Sequence, residues 1–280
     1  MNSDTNNQLE KQAVIFLHLP KSGGTTLSDI LIHQYDQDTE IYQIDGTNFL
    51  RSQQNFKQLP QSEKEKIKLL IGHMYFGLHE FIPSNSTYVT MLRNPIDRVI
   101  SYYFFIKKLK NHPDYKLINS NNISLKEYCT LGRENMTNGQ TRFLSGMSPE
   151  QSGFGGAKML DKAKKNLEEK FSVVGIMEYF DESLIVMKRK LAWQKNPFYY
   201  RRNTNRNNIY KQFTVSSETM STIKQYNKLD ILLYQYAYKL FEQQIKEQNN
   251  LDFQLDLKTF KVLNNIYGKY AVFAKKIFKN

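Results

Sequence analysis

The residues that are best suited to bind a ligand or take part in a reaction lie in one loop: Lys21, Ser22, Gly23, Gly24, Thr25 and Thr26. The apolar run at 13–19 before it predicts a buried strand, and the spacing at 25–35 after it predicts a helix. Glycines let the backbone approach a ligand closely, and free N–H groups at a helix N-terminus attract anions. Because Lys21 adds a positive charge, this strand, loop and helix predict a phosphate-binding site, with a plain structural turn as the alternative.

The order of the residues in this loop bears on which phosphate compound it binds. In P-loops that bind ATP or GTP, the lysine follows the glycines, in the order G-x-x-x-x-G-K-[ST]. Here Lys21 precedes Gly23 and Gly24. The sequence therefore disfavours ATP and GTP, although the strand, loop and helix architecture is similar.

A second polar segment, R-N-P-I-D-R-V-I-S-Y-Y at 93–103, follows the β-rich run at 86–92. Asn94 can cap the next helix, with Pro95 at its first position. Arg93 comes directly after the strand, and Arg98 and Ser101 are three residues apart, so they share a helix face. An arginine and a hydroxyl at the end of a strand predict a second phosphate site. A capped helix with solvated arginines is the alternative.

The two segments together, P-K-S-G-G-T-T-L and R-N-P-I-D-R-V-I-S-Y, resemble the sulfotransferases that use 3′-phosphoadenosine 5′-phosphosulfate (PAPS). The resemblance implies that the first segment holds the 5′-phosphosulfate. It implies that Arg93 and Ser101 hold the 3′-phosphate, the group that distinguishes PAPS from ATP. The donor would then be PAPS and the product PAP, with no metal required.

Three further segments extend this resemblance over about residues 13–241. N-G-Q-T-R-F-L at 138–144 and N-K-L-D at 227–230 are similar to heparan sulfate 6-O-sulfotransferases, and Gly72-His73 with Phe76 is similar to the 2-O-sulfotransferases. Ser22 stands where that family usually has threonine. Since the chain mixes features of two subfamilies, we expect a saccharide or glycan acceptor without assigning heparan sulfate.

Transfer to a hydroxyl requires a group that takes the hydroxyl proton, and histidine suits this near neutral pH. His73 follows a predicted strand and matches the catalytic histidine of the resembling family, so we expect it to be the base. Lys21 and the loop N–H groups would stabilise charge on the departing phosphate oxygen. His79 is the rival base, His18 is interpreted as a core residue or a neighbour of the site, and His33 and His112 as surface residues.

The adenine requires a cover, which a late basic loop supplies in the resembling enzymes. Candidates here lie at 201–206, with Arg201 and Asn203 as the expected ligands. The same loop could instead contact acceptor anions, or remain exposed without a ligand. The glycine-bearing loop at 152–156 is either a lid or a plain surface loop.

The elements that must position these residues alternate between strands and helices, which predicts a parallel sheet. We expect an α/β fold with a P-loop-like central sheet flanked by helices and a helical C-terminal part. Ligands of such folds bind at the carboxyl ends of the strands. Strands are predicted at 13–19, 40–45, 67–71, 86–92 and 171–177, and helices at 25–35, 57–68, 95–110, 124–131, 137–144, 157–169, 181–193 and 216–247.

Length and composition bound the class of protein. The chain has 280 residues, 40% of them hydrophobic, and a formal net charge of +12, which suits anionic partners. A single cysteine, Cys129, excludes an internal disulfide, fits a reducing compartment and favours a cytoplasmic location. No Cys/His cluster has the spacing of a metal site. We divide the chain into a leader at 1–11, a sulfotransferase domain at 12–250 and a basic amphipathic tail at 251–280.

The tail has two interpretations, and the function has three. The tail either packs on the domain or on a second subunit, which we favour, or lies on a membrane surface. The leading function is a PAPS-dependent O-sulfotransferase. The second is a kinase of a small molecule or lipid headgroup, which the position of Lys21 before the glycines disfavours. The third is an anion- or glycan-binding module, which would need no base and leaves His73 without a role. Nucleic acid is not an expected partner, and the oligomeric state is left open.

Overall fold

The computed structural model describes residues 12–35, 40–147, 156–200 and 215–277. Within these ranges five strands form one parallel sheet in the order β2-β3-β1-β4-β5, which confirms the predicted α/β fold. The strands are β1 (Ala13–Leu17), β2 (Ile41–Ile44), β3 (Leu69–Gly72), β4 (Ser86–Leu92) and β5 (Phe171–Ile176). All five overlap the strands that the sequence predicts.

The central strand shows why this sheet forms. Every side chain of β1 is buried, as expected for a parallel strand that is covered on both faces. Ala13, Ile15 and Leu17 belong to the core on one face, and Val14 and Phe16 to the core on the other. The alternation with a period of two residues therefore supplies both layers of helices with apolar surface.

Helices cover both faces and form the C-terminal part. They are α1 (Gly24–Ile32), α2 (Phe49–Lys57), α3 (Gln61–Lys64), α4 (Pro95–Lys108), α5 (Tyr115–Ser120), α6 (Leu125–Thr130), α7 (Gly139–Ser145), α8 (Ala157–Lys170), α9 (Phe180–Lys190), α10 (Ser217–Tyr226), α11 (Lys228–Lys246) and α12 (Asn250–Ile277). The predicted cap of α4 is confirmed, because the Asn94 side chain accepts hydrogen bonds from the N–H groups of Ile96 and Asp97.

Two helix predictions are wrong. The helix expected at 57–68 is replaced by α2 and the short α3, because Asn48 starts α2 earlier by accepting a hydrogen bond from the Arg51 N–H. The helix expected at 216–247 breaks at Asn227 into α10 and α11. The Asn227 side chain donates to the carbonyl oxygens of Met136 and Ile223, so this break anchors the late helices to the loop before α7.

The tail is one helix, α12, and it packs on the domain through Phe253, Leu257 and Phe260, which are all buried. This packing agrees with the interpretation that we favour for the tail. Across the described residues, the structure contains no helix with both the length and the apolar character needed to cross a membrane. The leader at 1–11 lies outside the described residues.

Candidate active site

The candidate site lies at the carboxyl edge of the sheet, where neighbouring strands β3, β1 and β4 end. The segments that follow these strands carry His73, Lys21 and Arg93 respectively. Because parallel strands end at the same edge, residues separated by up to 72 positions come into contact there. The topology thus brings together the three residues that the sequence predicts for the base, the loop cation and the 3′-phosphate ligand.

The glycine loop is shaped by two close approaches. Gly23 has φ 75°, in the left-handed region, and a Cβ on it would lie 2.3 Å from the Met177 sulfur. A Cβ on Gly24 would lie 1.9 Å from Nε2 of His18. The first turn of α1 contains no acidic residue, and its leading N–H groups have no partner within the helix. The loop is therefore built to present backbone donors to an anion.

Lys21 is held in an unfavourable setting. Its backbone has φ 67°, which is uncommon for a residue with a side chain, and its Nζ lies 4.3 Å from the centre of the Phe105 ring. Burial, Arg93 and Lys108 together lower the pKa of Lys21 to about 8. Three cations that crowd one another in this way favour a ligand with more than one negative charge.

Ser22 lies beneath the loop with 1% of its surface exposed. Its Oγ is buried and forms no hydrogen bond with any residue that the structure describes. A buried hydroxyl without a partner costs free energy, and a bound anion would supply the missing acceptor. The donors and cations of the loop and this orphaned hydroxyl together fit a phosphate group.

Arg93 connects the loop to the second segment. Its Nη1 donates a hydrogen bond of 3.0 Å to the carbonyl oxygen of Lys21. The Gln140 side chain fixes the Arg93 backbone from both sides, accepting from its N–H at 3.0 Å and donating to its carbonyl at 2.9 Å. Arg93 therefore reaches the loop from a backbone that cannot readily shift.

Arg98 and Ser101 are placed differently from Arg93. Arg98 is 1% exposed, and its Nη2 lies 3.6 Å from an Asp230 carboxylate oxygen and donates to the Asn135 carbonyl at 2.8 Å. It is thus a buried structural residue, so the alternative of solvated arginines on this helix is wrong for Arg98. Ser101 is buried as well, and its role as a phosphate ligand stays a prediction.

His73 is positioned by Gly72, which precedes it, and by the backbone carbonyl of His18 on the neighbouring strand segment. Gly72 has φ 144°, and a Cβ there would lie 2.6 Å from the Ile44 carbonyl oxygen, so only glycine fits. The Nδ1–H of His73 donates a hydrogen bond of 2.7 Å to the His18 carbonyl. Burial lowers the pKa of His73, and this hydrogen bond partly opposes the shift. The ring is therefore neutral near pH 7, with its Nε2 lone pair available to accept a proton.

His18 lies next to His73, whereas His79 lies away from it. The His18 ring stands between the loop and the base, with its centre 4.2 Å from that of His73, and burial, His73 and Lys21 lower its pKa well below 6.5. His79, the rival base, pairs with the Tyr88 hydroxyl at 3.1 Å, near the amino end of β4. His79 therefore lies towards the amino ends of the strands, whereas Lys21 and Arg93 lie at their carboxyl ends.

A buried polar network supports the site, and the residue pattern alone does not predict this structural role. The Asp230 carboxylate accepts hydrogen bonds from the N–H groups of Gln140 and Thr141 and from the Thr141 hydroxyl. Asn138 in turn accepts from the N–H groups of Leu229 and Asp230. The segments 138–144 and 227–230 thus pack together through buried hydrogen bonds, beyond the resemblance that they carry. The available signal was an aspartate within an apolar helix pattern, which predicts a buried partner.

Several predicted residues lie outside the described ranges, namely Arg201 and Asn203 and the rest of the loops at 201–206 and 152–155. Next to the first of these, Tyr200 lines a cavity of about 210 Å³ beside α1. Its wall combines the aromatic side chains of Phe198, Tyr199, Tyr200 and Tyr267 with Thr26 of the glycine loop and with polar residues that include Asp29. In the described part of the chain, no three His, Cys, Asp or Glu side chains form a group that could hold a metal ion.

Comparison with known proteins agrees with this geometry. The family model described as galactose-3-O-sulfotransferase matches residues 2–260. A heparin sulfate O-sulfotransferase of Drosophila melanogaster is 26% identical over 258 residues, which cover 83% of this chain and 73% of that protein. Galactose-3-O-sulfotransferase 3 of Mus musculus is 25% identical over 248 residues, covering 82% of this chain. The match spans 56%, about half, of the length of the mouse relative.

A solved structure also overlaps the fold. A mouse sulfotransferase crystallised with PAP superposes with a TM-score of 0.36 and 14% sequence identity. The superposition covers 80% of this chain and 68% of that chain. With so loose an overlap, the site has to be interpreted from its own residues.

Proposed function

The chain belongs to the galactose-3-O-sulfotransferase family, and from that premise we propose that its sheet-edge site transfers a sulfonyl group from PAPS to a saccharide hydroxyl. The observation that carries the proposal is the cluster of Lys21, Arg93 and Lys108. Burial, Arg93 and Lys108 lower the pKa of Lys21, and Arg93 reaches the Lys21 carbonyl with a hydrogen bond of 3.0 Å. A donor with phosphate groups at two positions satisfies such a cluster.

The residues present fit this donor. The loop offers the N–H groups of Gly23, Gly24, Thr25 and Thr26, the Lys21 ammonium group and the unpartnered Ser22 hydroxyl, which suit a phosphosulfate. Arg93, directly after β4, and Ser101, on α4, are the residues we assign to the 3′-phosphate. When bound, PAPS supplies an activated sulfonyl group, so an acceptor oxygen–sulfur bond forms as the bond from sulfur to the phosphate oxygen breaks.

The residues of the chain supply proton transfer and charge stabilisation. His73 accepts the proton of the acceptor hydroxyl at Nε2, because its Nδ1–H is committed to the His18 carbonyl. Lys21 and the N–H groups of the loop stabilise the negative charge that develops on the leaving phosphate. The His18 ring packs against His73, with 4.2 Å between the ring centres, and so supports the base from behind the glycine loop.

The adenine fits the aromatic cavity beside α1. Phe198, Tyr199, Tyr200 and Tyr267 line it, and aromatic side chains bind bases by stacking. Thr26 belongs both to this wall and to the glycine loop, so a nucleotide held by the loop has its base within reach of the cavity. The expected ligands Arg201 and Asn203 directly follow Tyr200 along the chain.

Thermal unfolding in the presence of nucleotides tests the proposed function. PAP is expected to raise the melting temperature, because a ligand that binds only the folded state stabilises it by about 2.7 kcal/mol at a hundredfold excess over Kd. AMP, which lacks the 3′-phosphate, is expected to have a smaller effect, and ATP with or without Mg²⁺ no greater effect than AMP. Stabilisation by Mg-ATP but not by PAP would instead support the kinase, and would contradict the proposal.

The titration of Lys21 predicts how PAP binding depends on pH. In the protein without ligand the pKa of Lys21 is about 8, and a bound anion raises it. Above pH 8, binding is therefore accompanied by uptake of a proton. From the Lys21 titration we expect affinity to fall above pH 8, by at most about tenfold per pH unit. Isothermal titration calorimetry at several pH values below and above 8 measures this dependence.

Lys21→Arg is the matched control for that titration. Arginine keeps its charge throughout this range, so the fall above pH 8 should disappear even if the affinity itself changes. A fall of the same size in the Arg variant would show that another group is responsible. A separate transfer assay with labelled PAPS and a panel of saccharides identifies the acceptor. A cytoplasmic location stays a prediction.

A further inference from the structure

The helix α12 has two apolar faces, and only one of them is packed. Phe253, Leu257 and Phe260 lie against the domain. A second row, here called the outer stripe, lies on roughly the opposite side of the helix, at intervals of seven, four, four and three residues. Its side chains are each more than half exposed: Leu255 65%, Val262 56%, Ile266 59%, Tyr270 71% and Phe273 61%.

The outer stripe is longer than the isolated apolar side chains that are normal on a protein surface. From residue 255 to residue 273 it extends for about 27 Å at the rise of an α-helix. Apolar groups that are scattered singly over a surface are normal, but a continuous apolar row marks a contact with a protein or a membrane. The packed face holds α12 to the domain through a stack of Phe198 on Phe260, so the outer stripe is presented on a fixed support.

The charge around the outer stripe indicates what it contacts. From Leu257 to Asn280 the chain contains six lysines and neither aspartate nor glutamate. Lys258 and Lys269 are exposed and lie along one border of the stripe, while Lys261 is paired with Glu182. Two copies of this segment placed together would bring like charges into contact. An anionic surface with an apolar interior satisfies both the lysines and the stripe.

We propose that the outer stripe of α12 docks this protein on the surface of an anionic lipid bilayer. The apolar side chains enter the boundary between headgroups and acyl chains, with Lys258 and Lys269 at the level of the lipid phosphates. On its other side the helix contributes Tyr267 to the aromatic cavity beside α1. Docking therefore places the donor site next to a membrane and the acceptors displayed on it.

Vesicle flotation with the full chain tests this proposal without donor or acceptor. We expect binding to phosphatidylcholine vesicles that contain phosphatidylserine, weaker binding at high salt, and little binding to phosphatidylcholine alone. The pair Ile266→Ser and Phe273→Ser leaves the charge unchanged and should weaken binding at least tenfold. The pair Lys258→Gln and Lys269→Gln should weaken binding to the anionic vesicles by about fivefold per lysine.

The matched control is Gln254→Ser with Asn265→Ser, which changes two exposed residues of the same helix outside the stripe and should bind as the unchanged chain does. The proposal is overturned if the unchanged chain ignores anionic vesicles, or if the Ile266 and Phe273 variant binds them normally. Sedimentation equilibrium adds a further outcome. A dimer that this variant dissociates would assign the stripe to a second copy. Since PAP binding is measured separately, neither result depends on the proposed reaction.

Discussion

His73→Ala is expected to lower kcat by about 10²–10⁴-fold, the usual contribution of a general base. The reason is geometric: the His73 Nδ1–H is fixed on the His18 carbonyl at 2.7 Å, so Nε2 is the atom left to accept the proton. PAP affinity should be unchanged, because the loop and Arg93 do not depend on the imidazole. Steady-state rates with labelled PAPS and calorimetric titration with PAP measure the two quantities on the same preparation.

His79→Ala is the control for this result. His79 pairs with Tyr88 near the amino end of β4, so its loss should leave kcat within a few fold of the unchanged value. The pH dependence adds a second check. Because burial lowers the pKa of His73 below 6.5, the decline of kcat/KM on the acid side should lie below that pH, as the base becomes protonated. Near-normal turnover by His73→Ala would assign the base elsewhere.

Asp230→Ala is expected to have the largest effect on stability, a loss of about 3–5 kcal/mol in the free energy of unfolding. The substitution leaves the Arg98 guanidinium buried without its countercharge and removes the acceptor of three hydrogen bonds from Gln140 and Thr141. Burial already lowers the pKa of Arg98, and Asp230 opposes that shift. Urea unfolding followed by circular dichroism measures the loss.

Asp256→Ala removes a comparable ion pair at the surface and serves as the reference. Arg189 and Asp256 are joined at 2.6 Å, but the Asp256 side chain is 54% exposed, so its loss should cost no more than about 1 kcal/mol. Equal effects of the two substitutions would mean that the buried network contributes nothing beyond an ordinary salt bridge. A smaller loss for Asp230→Asn than for Asp230→Ala is expected, since asparagine can still accept from Thr141.

The sheet and the residues at its edge could be predicted from the sequence because both are local. An apolar run such as AVIFL predicts a buried strand wherever it occurs, and Lys21, His73 and Arg93 each follow such a run directly. In a parallel sheet, the position after a strand is enough to place a residue at the common edge. The resemblance of the two phosphate segments then indicated the donor, and the family assignment confirms that indication.

The features that the sequence did not predict depend on contacts between distant segments. The break at Asn227 exists because its side chain bonds to Met136, 91 residues away, which no local helix pattern can reveal. The clamp of Gln140 on Arg93 is of the same kind, across 47 residues. The early start of α2 had a local signal, the cap at Asn48, but the polar run at 57–68 obscured it.

The left-handed backbone of Lys21 has a consequence for how this protein can change over time. A glycine there would relieve the φ of 67° and remove a cation crowded by Arg93 and Lys108, so the fold alone favours its replacement. Apart from the contact of its Nζ with the Phe105 ring, only the reaction favours lysine. Selection for heat resistance without selection for turnover should therefore drift away from lysine at this position, and lineages that have lost the activity should record that loss here first.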